Sequence, residues 1–342
     1  MRLLYDVVGC GAVVQQSHAP VLRQLAREGA IGIHACLDLD VEVARTTARL
    51  LGAARYGRPD DVPPAGEVGA AIIATPPESH THAAHKYLRS GKHVFIEKPL
   101  AVSLAEAREL IELSRECNGK LVANQFRRFF PSVLTARRFV ASGGLGRVSK
   151  VVASEGARWS WPSSSEYVTR SPYGGVIYDT GSHLLDMVLF ILSLDGQGAQ
   201  PTWTLRKVTR WPGEEPSHEC FASMVLSLPT GGDVELELRL SRREPLPCAV
   251  RIFGECGQVL VIPTVPQQAP TLYVGGEAFT LRAVTGASQP VDALGCFFLA
   301  HQEFRKAIKA PSYFSLIDAP RFLVLVALLD ALTHTEADRA HA

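Results

Sequence analysis

The sequence has almost no net charge and no long apolar run. Its 342 residues carry 35 basic and 34 acidic side chains, which leaves a formal charge of +1. This balance gives no electrostatic reason to bind nucleic acid or an anionic membrane. The longest apolar run, residues 322–329, is too short to cross a bilayer. We therefore predict no nucleic-acid partner and no membrane partner.

Cysteine pairs with a recognisable spacing are also missing. The seven cysteines form no CxxC pair, and an odd number spread along the chain is poor material for a disulfide framework. The N-terminal residues lack the apolar core and cleavage site of a signal peptide. A reducing, cytoplasmic location is the resulting expectation.

What the sequence does contain is an alternation of short apolar runs and amphipathic stretches of helical length in its first third. This rhythm is typical of a parallel sheet covered by helices, so we predict a doubly wound α/β domain. The predicted strands are residues 3–8, 31–37, 70–74, 93–96 and 120–123. The predicted helices are residues 19–27, 41–51, 80–90 and 104–117.

After residue 131 the pattern changes to strand-like runs with few helices between them. Links containing Gly or Pro predict a large open, mainly antiparallel sheet in an α+β domain. The predicted strands are residues 148–154, 203–209, 220–228, 234–240, 249–253 and 259–262. Helices are predicted around residues 180–192, 292–309 and 318–334. The domains are expected over 1–123 and 124–342, with the C-terminal helix a candidate to pack back on the first.

A glycine turn follows the first predicted strand directly. Gly9 permits the tight turn, and Gly11 lets a pyrophosphate approach the backbone of Ala12 and Val13 at a helix N-terminus. Val14 stands where such a fingerprint has a small residue that allows close packing of helix and strand. The turn is a candidate dinucleotide site.

An acidic residue, Asp38, ends the second predicted strand. A carboxylate there can accept both ribose hydroxyls of an adenosine and would repel a 2'-phosphate, so NAD is favoured over NADP. The alternative is that Asp38 caps the helix that begins near residue 41, a position for which Asp40 competes.

A further candidate segment comes directly after the third predicted strand, at the edge where ligands bind in such sheets. Ala74, Thr75 and Pro76 would contact the dinucleotide, and His80 would lie beside the pyrophosphate or the nicotinamide ribose. The alternative role for His80 is a helix cap. We predict no metal site, because the histidines show no HExxH or Cys/His ligand spacing.

The segment 91–100, with Glu97-Lys98-Pro99 at its centre, resembles the EKP signature of the Gfo/Idh/MocA family of oxidoreductases. The glycine turn and residues 74–80, 127–131 and 174–183 match further family motifs in order. The resemblance implies an NAD(P)-dependent Rossmann domain followed by a substrate domain.

By the same resemblance, Lys98, Asp179 and His183 surround the reacting carbon. Asp179 and His183 are four residues apart and would share one face of a helix. His183 would take the hydroxyl proton, Lys98 would donate to the same oxygen, and Asp179 would orient the pair. Glu97 would fix the loop and lie near the nicotinamide ribose. The alternative is a surface lysine and two capping or core residues.

Candidate substrate-binding residues follow the first long strand of the second domain. Tryptophan faces stack on sugar rings, and charged groups hydrogen-bond their hydroxyls. The candidates are Glu155, Arg158, Trp159 and Trp161, together with Phe126 and Arg127 by resemblance. A hydrophobic plug or an oligomer contact is an equal alternative for the two tryptophans.

The function that these features predict is hydride transfer between NAD and a secondary ring hydroxyl or ketone of a sugar, cyclitol or amino sugar. Glu155 and Glu166 would suit an amino sugar or aminoglycoside. The alternatives are a redox-cycling enzyme with tightly held NAD and a non-catalytic sugar or dinucleotide sensor. The open sheet of the second domain predicts a homodimer or homotetramer.

Overall fold

The computed structural model describes residues 2–61, 66–160, 171–195, 200–210, 217–282 and 292–335. Trp161 and Glu166 lie outside the described residues. The described chain divides into two compact units. The first comprises residues up to 124 together with 297–320, and the second comprises the described parts of 125–296 and the residues from 321 onward. The domain boundary placed after residue 123 remains a prediction.

The first unit is built on a parallel sheet, as the sequence predicts, but the sheet has six strands and not the five predicted, because the short strand Arg55–Gly57 was missed. The strands are β1 (Leu3–Val8), β2 (Ile31–Leu37), β3 (Arg55–Gly57), β4 (Val68–Ile73), β5 (His93–Ile96) and β6 (Leu121–Ala123). Their order is β3-β2-β1-β4-β5-β6, so the winding direction changes between β1 and β4. Ligands of doubly wound sheets bind at such a switch point.

Helices follow most of these strands, and their starts have clear chemical causes. They are α1 (Ala19–Arg27), α2 (Val41–Leu51), α3 (His80–Leu88) and α4 (Leu104–Glu116). Asp40 caps α2 by accepting from the amides of Glu42 and Val43, and the Ser103 hydroxyl accepts from the Glu106 amide at the start of α4.

The second unit contains an eight-stranded mixed sheet. Its strands are β7 (Val148–Gly156), β8 (Thr202–Arg210), β9 (Glu219–Ser227), β10 (Asp233–Ser241), β11 (Leu246–Gly254), β12 (Val259–Pro263), β13 (Thr271–Val274) and β14 (Glu277–Thr280). The order is β14-β13-β12-β11-β7-β10-β9-β8, and only the β7–β10 pair is parallel. Side chains along β9 and β10 alternate between buried and accessible, so one face of the sheet is covered.

The remaining helices are α5 (Pro131–Ala141), α6 (Ser182–Ile191), α7 (Ala293–Lys309) and α8 (Leu323–His334). The sequence pattern predicted neither α5 nor the β13–β14 hairpin. A helix was expected from residue 318, but Ala319–Phe322 form a 3-10 turn before α8 begins. The Asp318 carboxylate accepts from the Ser315 amide. Among the described residues, no helix has the length and apolar character needed to span a membrane.

Candidate functional site

The glycine turn at the end of β1 requires glycine at its first position. Gly9 has φ +82°, and a Cβ there would lie 2.5 Å from the backbone carbon of Ala74. Gly11 differs, because among the described residues no atom other than those of its chain neighbours lies within 4 Å of the position its Cβ would take. No protein contact therefore demands glycine at 11, whereas a pyrophosphate approaching the backbone would.

The helix that follows the turn begins in an unusual geometry. Ala12 and Val13 are half-buried and helical, and Val14–His18 form a π-helical turn that leads into α1. Val14 is fully buried. Val14, which stands where the glycine fingerprint has a small residue, is thus the first residue of the π-helical turn. Such turns are frequent at functional sites.

Asp38 lies beside this turn and does not cap α2. Its Oδ2 accepts from the Cys10 amide at 2.7 Å, and its Oδ1 accepts from the Asp40 amide at 2.9 Å. The cap of α2 is Asp40. A carboxylate has about four acceptor sites, so two remain for hydroxyl groups of a ligand.

The segment after β4 is tied to the Lys98–Pro99 turn through His80. Ala74 to Pro76 are half-buried, whereas His80 is 1% exposed. Its Nδ1 lies 2.8 Å from the Pro99 carbonyl oxygen and its Nε2 lies 2.9 Å from that of Thr75. Burial lowers the pKa of His80. Both ring nitrogens therefore face backbone carbonyl oxygens, so His80 connects the segment after β4 to the Lys98–Pro99 turn.

Three donors hold the Glu97 carboxylate at the end of β5. His18 Nε2 lies 2.7 Å and Asn124 Nδ2 lies 2.6 Å from Oε1, and the Lys98 amide donates to Oε2 at 3.1 Å. Burial disfavours the ionised form, but the contacts with His18 and Asn124 outweigh it, and the pKa of Glu97 is lowered. The Lys98–Pro99 peptide is cis. The Lys98 backbone is thus fixed by an ionised, buried carboxylate.

In the second unit, His183 is buried on α6 and held by a neighbouring amide. Its Nδ1 lies 3.2 Å from Gln125 Oε1, which can only accept, so Nδ1 carries the proton. In the neutral form of the ring, this assignment places the lone pair on Nε2. The Phe126 ring meets the imidazole edge to face at 5.4 Å between centroids.

Asp179 lies on a π-helical turn, Ile177–Gly181, that leads into α6. Arg242 Nη2 donates to Asp179 Oδ2 at 2.8 Å, and Nη1 donates to the Gly174 carbonyl at 2.8 Å. The same guanidinium lies 4.1 Å from the Trp159 ring centroid. Asp179 is therefore paired with a buried cation that also packs on a predicted substrate residue.

The predicted pair Arg127 and Glu155 forms a bidentate ion pair with N···O distances of 2.6 and 2.9 Å. Burial disfavours the charged guanidinium, but Glu155 and Asp179 outweigh this and raise the pKa of Arg127. Arg158 is exposed. Trp161 lies outside the described residues.

Gln125 and Arg242 are site residues that the sequence analysis missed. Gln125 directly precedes the Phe126 to Phe129 turn, and only its place beside a recognised motif could have pointed to it. Arg242 follows the last residue of β10. The residues of β10 alternate regularly between buried and accessible. A charged residue directly after such a strand could have been recognised in the sequence as a candidate site residue.

A third missed residue is Arg128, which is fully buried. Its guanidinium contacts Asp186 at 2.6 Å and Asp195 at 2.7 Å, and both carboxylates are also buried. Burial raises the pKa of Asp186, although Arg128 opposes that rise. The other members of this cluster are Arg137, Arg321, Phe190 and Phe322. The cluster anchors the turn that carries Phe126 and Arg127.

No group of three or more His, Cys, Asp or Glu side chains in the described part of the chain is arranged to hold a metal ion.

Two family models match the sequence. Residues 3–125 match the oxidoreductase family with an NAD-binding Rossmann fold, and residues 133–260 match the GFO/IDH/MocA C-terminal domain.

Two curated relatives illustrate the similarity. An uncharacterized oxidoreductase of Schizosaccharomyces pombe is 30% identical over 66% of this chain and 61% of its own length. The inositol 2-dehydrogenase 2 of Saccharopolyspora erythraea is 28% identical over 81% of this chain and 78% of its own. The chain spans only about half of two further oxidoreductases that it matches, 48% and 50% of their lengths.

A solved structure shares the fold over nearly the whole chain. It is a mutant of a 3-ketoreductase from Actinomadura kijaniata in complex with NADP and TDP-benzene. It superposes with a TM-score of 0.78, covers 99% of both chains and is 17% identical in sequence.

Proposed function

This chain belongs to the Gfo/Idh/MocA family of oxidoreductases, and from that premise we propose that it transfers a hydride between NAD and a secondary ring hydroxyl or ketone of a carbohydrate-like substrate. The inositol dehydrogenase among its relatives and the ketoreductase among the solved structures support this class of reaction.

The turn of the first unit fits a dinucleotide. Within the described parts of the chain, only the chain neighbours of Gly11 come near the position its Cβ would take, and the Asp38 carboxylate keeps acceptor capacity beside the turn. Ala12 and Val13 would offer amides to the pyrophosphate at the helix N-terminus. Asp38 favours NAD because a 2'-phosphate would meet its negative charge. Ala74, Thr75 and Pro76 would line the other side, with His80 holding their loop in place.

The observation that carries the proposal is the contact between His183 Nδ1 and Gln125. In the neutral form, an imidazole that donates from Nδ1 would have Nε2 as its proton acceptor. Removing a proton from a substrate hydroxyl requires such a base near neutral pH. His183 would take that proton in the oxidative direction and return it in the reductive direction.

When bound, the nicotinamide supplies the acceptor or donor of the hydride. Lys98 would donate to the substrate oxygen and stabilise its negative charge. Asp179, paired with Arg242, would hold a second substrate hydroxyl or orient His183. The proposal requires Lys98 and His183 to reach the same oxygen atom.

The charges around the predicted substrate residues favour a neutral ring over an amino sugar. Glu155 is neutralised by a bidentate contact with Arg127, and Asp179 is paired with Arg242. Each carboxylate thus already has a cationic partner, so an ammonium group would meet little uncompensated negative charge. Trp159 and Phe126 offer apolar ring surface for stacking against a sugar or cyclitol.

We also propose a homodimer or homotetramer formed through the open face of the second-unit sheet. Accessible apolar residues on that sheet include Val274 and Phe279, which are 41% and 47% exposed. The register of β13 and β14 places both on the same face of the sheet, where exposed apolar side chains favour association. Light scattering behind size-exclusion chromatography measures the assembly, and a strictly monomeric mass would contradict it.

The deciding experiment is a screen of sugars, cyclitols and aminoglycosides with NAD and with NADP, read by the absorbance of the reduced cofactor. Net NADH formation with a neutral cyclitol or sugar is the expected result. Product formation without added cofactor and without net NADH would instead indicate redox cycling on a retained dinucleotide.

The substitutions Lys98→Ala and His183→Ala show whether any observed turnover comes from this site. Lys309→Ala and His334→Ala are matched controls, because both side chains are exposed. Binding of sugar and NAD with no turnover of any substrate in the screen would favour a sensor and contradict the enzymatic proposal.

A further inference from the structure

A chain of buried polar side chains runs from the Glu97 carboxylate into the interior of the first unit. Glu97 Oε1 contacts His18 Nε2 at 2.7 Å, and His18 Nδ1 contacts His301 Nε2 at 2.9 Å. His18 and His301 are 0% exposed, and Glu97 is 6% exposed. Buried polar groups of this kind are retained where hydrogen bonds satisfy them. No step of the proposed reaction uses either histidine.

For a neutral His18, the two contacts assign one proton to each imidazole ring. An ionised carboxylate can only accept, so His18 must donate from Nε2. The Nδ1 of a neutral His18 then accepts, so His301 must donate from its own Nε2. His301 Nδ1 has no hydrogen-bond partner among the described residues, which suits an unprotonated nitrogen better than a buried N–H.

Packing holds both rings in place. The His301 ring stacks on Phe95 at 4.6 Å with an interplanar angle of 3°. The His18 ring meets Phe95 and Phe297 edge to face at 5.8 and 5.2 Å. His18 is also the last residue of the π-helical turn that starts just beyond the glycine turn. The same side chain therefore connects the predicted pyrophosphate-binding helix to the loop that carries Lys98.

We propose that His18 is a positioning residue whose neutral Nε2–H donor holds Glu97 ionised and oriented toward the Lys98 amide, with His301 selecting the His18 tautomer. The role rests on the proposed function for Lys98, but the tautomer and the charge on Glu97 do not. Removing His18 would leave Glu97 with fewer donors in an unchanged buried site and would loosen the Lys98 backbone.

The groups that surround the hydrogen-bonded residues Glu97, His18 and His301 affect how their protonation changes with pH. They are His80 on α3, Lys98 and Asn124 beside Glu97, and Arg305 beside His301 on α7. Burial and the positive charge of Arg305 lower the pKa of His301 well below its ordinary value. Because Glu97 has a lowered pKa in the folded protein, its stabilising contribution is present above about pH 4.3 and is lost only as the pH falls through the folded value.

The first test reads the tautomer directly in the cofactor-free protein. Imidazole ¹⁵N NMR of histidine-labelled protein at pH 7.5, with the His18 signals assigned by their loss in His18→Gln, should show the neutral Nε2–H form. A doubly protonated ring or an Nδ1–H tautomer would overturn the proposal.

The second test compares His18→Phe with His18→Gln, whose amide keeps a donor for Glu97 and an acceptor for His301. In His18→Phe, the pKa of Glu97 rises while burial stays, so the ionised form becomes costly as pH rises. The loss of melting temperature should therefore be larger at pH 8 than at pH 5. His18→Gln should lose less at both values, and an equal or larger loss for His18→Phe at pH 5 would refute the neutral donor.

Turnover supplies the last readout. His18→Phe should lower kcat by about tenfold or more, and His18→Gln should recover most of that loss. His301→Phe keeps the stacking on Phe95 and should change kcat by only a few-fold. If the unmodified protein turns over no substrate, the proposed function fails, while the NMR and melting experiments still decide the role of His18. Equal kcat in all variants would overturn the positioning role.

Discussion

Replacing Arg128 by methionine should destabilise the second unit severely. The guanidinium is fully buried and is the cation that contacts Asp186, whose carboxylate is buried as well. Asp195 keeps contacts with Arg137 and Arg321 at 3.2 and 3.3 Å, so most of the cost falls on Asp186. Removing one partner of a buried ion pair costs about 3–5 kcal/mol, because the other charge is left uncompensated. We expect a loss in that range.

The assay is urea unfolding followed by tryptophan fluorescence. All four tryptophans of the chain lie after residue 158, so the signal reports on the second part of the sequence. The double variant Arg128→Met with Asp186→Leu removes both charges, and it should recover about 1–3 kcal/mol relative to Arg128→Met.

Arg138→Met on α5 is not a suitable control, because the exposed Arg138 side chain has contacts of its own. Arg158→Met is the better control, because that side chain is exposed, and a change within about 0.5 kcal/mol is expected. A loss below about 1 kcal/mol in Arg128→Met, or a double variant no more stable than the single one, would refute the reasoning.

Three further predictions concern the proposed site. Asp38→Ala should weaken NAD about 10- to 100-fold by losing hydrogen bonds to a charged acceptor and should weaken NADP less; calorimetric titration of both cofactors checks this, and an unchanged affinity ratio contradicts the ribose role. Lys98→Ala and His183→Ala should lower kcat/KM about 10²-fold or more while NAD affinity stays nearly constant, and lost NAD affinity with intact turnover would count against both roles. Arg242→Met should lower kcat about tenfold through Asp179, with partial recovery in Arg242→Lys; steady-state kinetics would disprove this if the two variants matched the unmodified protein.

The fold of the first unit was largely predictable because its signals are local. Buried strands alternate with amphipathic helices, and Asp40 and Ser103 cap α2 and α4 with side chains visible in the sequence. Helix α5 was missed for two reasons. It begins at Pro131, within the motif of residues 127–131, and its β-branched residues have a lower helix propensity, which weakens the helical pattern in the sequence. The β13–β14 hairpin was missed because both strands are short and its residues are accessible.

The candidate site was predictable only where a motif names its members. Lys98, Asp179 and His183 come from family motifs, and no periodicity would have found them. Gln125 and Arg242 act through contacts between residues distant in sequence, which a single chain does not reveal. The buried Arg128 runs against the tendency of charged residues to stay exposed, so hydropathy hides it.

The hydrogen bond from the Cys10 amide to Asp38 limits how the cofactor preference can be redesigned. Removing the carboxylate to admit NADP would also remove the hydrogen bond that Asp38 accepts from the Cys10 amide in the glycine turn. A hydrogen-bond acceptor must therefore remain at position 38, as in Asp38→Asn. Leu39 next to it is 77% exposed and has no such duty. A guanidinium introduced by Leu39→Arg could meet a 2'-phosphate from solvent, which separates the choice of cofactor from the integrity of the turn.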